Sequence, residues 1–119
     1  MKIKNVYDMI GGDYNEALYR LMNDGIIEKF LHKFVAGNYI VPITDAVKEK
    51  DNTKLFEACH ALKGVALNMS FVKLSRSASN LTDYVRGENA KTADRHTIDS
   101  LYNKLLADYN DVINAISTL

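Results

Sequence analysis

Glu57-Ala58-Cys59-His60-Ala61-Leu62-Lys63-Gly64 lies inside a longer helical run, roughly Asn52 to Met69. At about 100° per residue, Leu55, Ala58, Leu62, Val65, Ala66 and Met69 share one side. His60 points away from them, and Thr53, Phe56, Lys63, Gly64 and Leu67 share its face. The first stripe reads as an ordinary buried face. The second carries an imidazole, an ammonium, a glycine and two large apolar side chains, where polar groups and good helix formers are the rule. A mid-helix glycine costs about 1 kcal/mol relative to alanine. One turn beyond an exposed histidine, that cost makes sense if something must come close to the ring. Lys63, at i+3, reaches the same space.

The flanking segments predict more helices. Gly11-Gly12 is a break, and Val6, Met9 and Ile10 before it predict a short turn packed on the rest. Asp13, with Glu16 three residues on, reads as an N-cap and a capping-box-like pair. Tyr14, Ala17, Leu18 and Leu21 then give a short amphipathic helix ending near Met22-Asn23. The next helix starts around Asp24-Gly25, with Ile27, Phe30, Phe34 and Val41 on its apolar face. Gly37, Asn38 and Pro42 predict a kink or break, after which helix resumes to Lys50. Asp51-Asn52-Thr53 caps the central helix, and Ser70 reads as the N-cap of the one after it. Phe71, Leu74, Ala78, Leu81 and Val85 form a clean seam. Gly87-Glu88-Asn89 is a turn, and Thr92 reads as the cap of a last helix lined by Ile98, Tyr102, Leu105, Tyr109, Val112 and Ile116.

No stretch alternates as a strand does. The fold expected is all-α: an antiparallel up-down-up-down four-helix bundle with a short extra N-terminal helix across one end. With 119 residues the expectation is a single domain, residues 1–119. Fifteen basic residues balance fifteen acidic ones, which gives no argument for nucleic acid or an anionic membrane as partner. The lone cysteine, Cys59, excludes an intramolecular disulfide and fits a reducing compartment; it reads as a small packing residue, not a nucleophile. No signal-peptide core follows Met1, and no apolar run of about 18 residues is long enough to cross a bilayer. The expected location is cytoplasmic.

The surroundings of His60 bear on three chemistries. A neutral imidazole is a nucleophile, and a nearby cation suits attack on a phosphoryl group, whose oxygens Lys63 would hold by charge-assisted hydrogen bonds. Phe56 and Leu67, flanking the ring, read as apolar contacts for a docked protein; the bland alternative for Phe56 is packing under a neighbouring helix. Glu57-x-x-His60 has the spacing of a di-iron bundle motif, but His32 and His96 lack a glutamate three residues before them, so no second motif exists. Both read as surface residues. No glycine-rich phosphate loop or kinase signature is present, so a phosphoryl donor must come from outside.

His60-Ala-Leu62-Lys63-Gly64 resembles the His-x-Leu-Lys-Gly signature of histidine-containing phosphotransfer (HPt) domains. The Asp51-to-His60 lead-in, Leu74 and Leu81, the early Asp13-Tyr-Asn-Glu-Ala-Leu segment and the bundle layout extend the resemblance over roughly residues 10–117. It implies a phosphocarrier of multistep two-component relays, not an ATP-using kinase. His60 would be the phosphoacceptor, Lys63 would hold the phosphoryl oxygens, and Gly64 would clear space for a response-regulator receiver domain. Partners would be receivers and possibly a hybrid histidine kinase. The family's Mg²⁺ belongs to the receiver, so no cofactor is expected here, and a monomer is expected. Two positions depart from the pattern: Ser70 stands where glycine is common, and Thr82 where an acidic residue is frequent. The alternatives are an adaptor that binds a receiver or another partner without transfer, and a bundle detached from a larger hybrid kinase; a start at Met1 favours a free-standing protein.

Overall fold

Short polar side chains set the helix starts. Asp13, Asn23, Asp51 and Asp94 stand in extended backbone, and each accepts the amide of the third residue on: Glu16, Ile26, Lys54 and Thr97, at 2.9 to 3.0 Å. Each such cap is worth about 1 kcal/mol. The computed structural model describes residues 2–119, and Met1 lies outside them. Its helical segments are α1 (Ile3–Ile10), α2 (Tyr14–Leu21), α3 (Asp24–Gly37), α4 (Ile40–Glu49), α5 (Asn52–Asn68), α6 (Val72–Tyr84), α7 (Asn89–Thr92) and α8 (Arg95–Ile116). No strand occurs among the described residues.

The bundle is the broken pair α3–α4 with α5, α6 and α8. Helix α5 packs between α4 and α6, and α8 closes the ring against α6, α4 and α3. The expected break falls at Asn38, whose φ of 49° is left-handed, and not at the proline. Pro42 sits in the first turn of α4, where its missing N–H has no helical partner to lose. Gly37 is needed there, because a Cβ would come within 2.5 Å of the Tyr39 ring that folds back over it. That ring in turn stacks on Phe34, and Phe34 meets Phe71 edge-on at 5.2 Å and Tyr109 at 5.5 Å. Full burial stabilises each such side chain by about 1.5–3 kcal/mol, so this aromatic group is a principal anchor of the core.

Several expectations need correction. Residues before Gly11 form a full helix; Ile3, Val6, Tyr7 and Ile10 face the core, while Met9 is 58% exposed. Leu31 replaces Phe30 on the inner face of α3, and Val41 is exposed after the break shifts the helical phase. Asp94, not Thr92, caps the last helix; Thr92 ends the short α7. Ser70 is not an N-cap. It is buried with φ at +59°, and α6 starts after Phe71 with no side-chain cap. The seams of α6 and α8 are as expected, with Tyr102 half-buried and its hydroxyl bonded to that of Thr44 at 2.7 Å.

Candidate functional site

Helix α5 buries Leu55, Cys59, Leu62 and Ala66, with Met69 just past its end. Ala58 and Val65 flank this stripe half-buried. The opposite face carries His60, exposed in the middle of the helix. Among the described residues the His60 imidazole has no hydrogen bond or ion pair, so its nitrogens face solvent uncommitted. One turn on, a Cβ at Gly64 would meet no atom within 4 Å beyond its chain neighbours and the backbone of its own helix. The glycine is therefore not there for internal packing, and the space beside the ring is open. Lys63 is half-exposed on the same face, and it too has no ion pair among the described residues.

Phe56 and Leu67 differ from one another. Leu67 is 51% exposed. Phe56 is half-buried against the core; its ring lies parallel to that of His60, 8° apart with centroids at 5.7 Å. From the other side of the bundle seam, the Arg86 guanidinium sits over the Phe56 ring at 5.1 Å. The sequence does not mark Arg86. It lies just past the end of α6, and no local pattern links it to a residue 30 positions earlier.

Two of the concavities along α5 lie on its α3 and α4 sides. One, of ≈ 280 Å³, lies between α3 and the C-terminal half of α5 and is lined by Phe30, Phe34, Tyr39, Val65 and Met69. The other, between α4 and the N-terminal half, is acidic, with Asp45, Glu49 and Glu57 around Lys54. Among the described residues no three of His, Cys, Asp and Glu converge as metal ligands. His32 and His96 are exposed. Cys59 is fully buried, and desolvation pushes its thiol up to about 12, which leaves no thiolate at neutral pH.

The C-terminal end of α5 is fastened by residues far upstream. The last carbonyls of a helix lack partners within it. Here Arg20 donates to the carbonyls of Leu67 and Asn68 at 2.8 Å, Tyr7 to that of Met69 at 2.8 Å, and the Asp13 amide to that of Ser70 at 2.9 Å. The Ser70 hydroxyl donates to Glu16 at 2.8 Å. Glu16 is thus turned toward Ser70 and Arg20, and the reciprocal half of the capping box is not made. At the other end, Asn52 donates to the Ala90 carbonyl at 2.8 Å and accepts from Arg95 at 3.1 Å. The helix that carries the histidine is therefore pinned at both ends.

A family model, the Hpt domain, matches residues 30–116 of the chain. The chain belongs to the Hpt domain family. Neither the curated proteins nor the solved structures contain a match. Hpt domains carry phosphoryl groups on a histidine in phosphorelays and work with receiver domains and kinases; they are carriers and not kinases themselves. The matched span leaves out α1 and α2, the segments that hold the end of α5. The two departures from the family pattern fit locally. Ser70 adopts the left-handed conformation that suits glycine, and its hydroxyl bonds offset the strain. Thr82 is fully buried and donates to the Ala78 carbonyl of its own helix at 2.7 Å, so it needs no outside partner. No helix of the described residues is long and apolar enough to cross a membrane.

Proposed function

We propose that His60 is the phosphoacceptor of this Hpt domain and takes its phosphoryl group from the aspartyl phosphate of a receiver domain. The observation that carries the reading is the exposed His60 ring beside the open space over Gly64. In the transfer, a lone pair on a neutral ring nitrogen attacks phosphorus as the bond from phosphorus to the aspartyl oxygen breaks. The aspartate leaves as a carboxylate, and the imidazole keeps the proton on its other nitrogen. Transfer to a second receiver runs the same step in reverse. Charge on the moving group is spread over its oxygens, and Lys63 supplies a cation to them.

The receiver packs its acidic site over the His60 face. Leu67 is the exposed apolar contact, and Gly64 lets the receiver's backbone approach. Phe56 offers a partner only the edge that His60, Arg86 and the core leave free. The Mg²⁺ of the reaction belongs to the receiver, and this chain brings no cofactor of its own. The working species is a cytoplasmic monomer.

The competing role is an adaptor that binds a receiver and transfers nothing. Incubation with a panel of phosphorylated receiver domains separates the two. Transfer leaves acid-labile, base-stable phosphate on this protein, whereas an adaptor co-elutes with a receiver and stays unlabelled.

A further inference from the structure

We propose that Phe56 and Arg86 are positioning residues for the phosphotransfer step, with Phe56 fixing the plane of the His60 imidazole and Arg86 fixing Phe56. This rests on the phosphocarrier reading above and adds to it a route by which α6 sets the geometry of a nucleophile on α5. An exposed histidine on a helix ordinarily samples several rotamers. Its nitrogen lone pairs lie in the plane of the ring, so in-line attack on phosphorus requires that plane to be aimed. Among the described residues the one directional contact of the His60 ring is Phe56, parallel to it within 8° at a centroid separation of 5.7 Å. That is the offset-stacked arrangement that aromatic pairs favour. Stacking restrains rotation of the ring plane and leaves both nitrogens at its edge free.

Phe56 is itself held. Its inner side packs against the hydrophobic core, and the Arg86 guanidinium lies 5.1 Å from its ring centre. Arg86 is tied down in turn: its Nη2 donates to Asp83 at 3.1 Å, and the Asn89 amide donates to its carbonyl at 3.0 Å. Buried Val85 anchors the adjoining turn. A line of contacts therefore runs from Asp83 through Arg86 and Phe56 to His60. Freezing the ring plane before encounter removes rotamer freedom that would otherwise be lost in the transition state. A leucine at position 56 fills apolar space but presents no flat face, and a tyrosine keeps the face.

The test uses the full chain and phosphoramidate, a small phosphoryl donor with no docking surface. Phe56→Leu is expected to label about 3- to 10-fold more slowly than the parent protein, the range an aromatic stacking contact spans. It should also lose the ring-current displacement of the His60 imidazole protons in NMR spectra. Phe56→Tyr should keep both, and Arg86→Met should slow labelling with the fold intact by circular dichroism. The proposal is overturned if Phe56→Leu labels with phosphoramidate at the parent rate and is slowed only when a receiver is the donor, because Phe56 would then act in docking alone. Absence of His60 labelling in the parent protein from either donor is a different failure: it overturns the phosphocarrier reading and this proposal with it.

Discussion

The Tyr7 hydroxyl donates to the main-chain carbonyl of Met69 at 2.8 Å, joining the first helix of the chain to the end of the helix that carries His60. Tyr7 is fully buried, and its partner is a helix-terminal carbonyl that would otherwise be unpaired. Tyr7→Phe should therefore cost about 1–2 kcal/mol in urea unfolding while leaving the fold intact. An unchanged midpoint would show that the bond contributes nothing net.

The same residue bears on pH. Burial raises the Tyr7 phenol well above its ordinary 10.0, with Arg20 pulling partly the other way. Burial also raises Tyr109, and it pushes Cys59 up to about 12. Above about pH 8 the unfolded chain begins to shed these protons, cysteine first and then the tyrosines, while the folded chain keeps them. The unfolded state then binds fewer protons, so stability falls as pH rises. Stability should be flat with respect to these groups below about pH 8 and decline progressively through the range of about 8–12. Tyr7→Phe should make that alkaline decline shallower, as read by unfolding midpoints across pH.

Ser70 combines an unfavourable backbone with favourable side-chain bonds. Ser70→Ala keeps φ at +59° and loses the hydroxyl bonds to Glu16 and Arg20, so it should destabilise by about 1–2 kcal/mol. Ser70→Gly relieves a left-handed cost of about 1 kcal/mol while losing the same bonds, and should come out near neutral. The order glycine above alanine in a thermal melt is the diagnostic result. Equal losses for both would place the whole effect in the hydroxyl.

Gly64→Ala should divide stability from function. An alanine methyl there meets no other part of the bundle, so the helix gains up to about 1 kcal/mol. The methyl group occupies space the receiver's backbone needs, and transfer from a phosphorylated receiver should fall about tenfold or more, a loss of about 1.4 kcal/mol. Labelling by phosphoramidate should be unchanged. A stabilised variant with normal receiver transfer would remove the steric role assigned to this glycine.

Much of the bundle was legible because its determinants are local. Asp13 and Asp51 cap helices within three residues of themselves, and the spacing from Phe71 to Val85 repeats a single seam. The exposure of His60 followed from its angle to Leu55, Leu62 and Ala66 on one wheel. What was not legible depends on partners distant in sequence. Ser70 looked like a cap because its conformation is set by Asp13, Glu16 and Arg20, about 50 residues away. In α3, Ile26, Ile27, Phe30, Leu31, Phe34 and Val35 spread apolar character too widely for periodicity to choose the inner face. Asn38 then reset the phase, which carried Val41 outward. The Phe56–Arg86 contact bridges two elements and leaves no mark on either alone.

The most direct measurement is the position of the phosphoryl group after incubation with a phosphorylated receiver domain, comparing the parent protein with His60→Gln. Acid-labile label mapped to His60 is expected in the parent and none in the variant, with both proteins folded to the same extent. Equal labelling of His60→Gln, or label mapped to another residue of the parent, would contradict it.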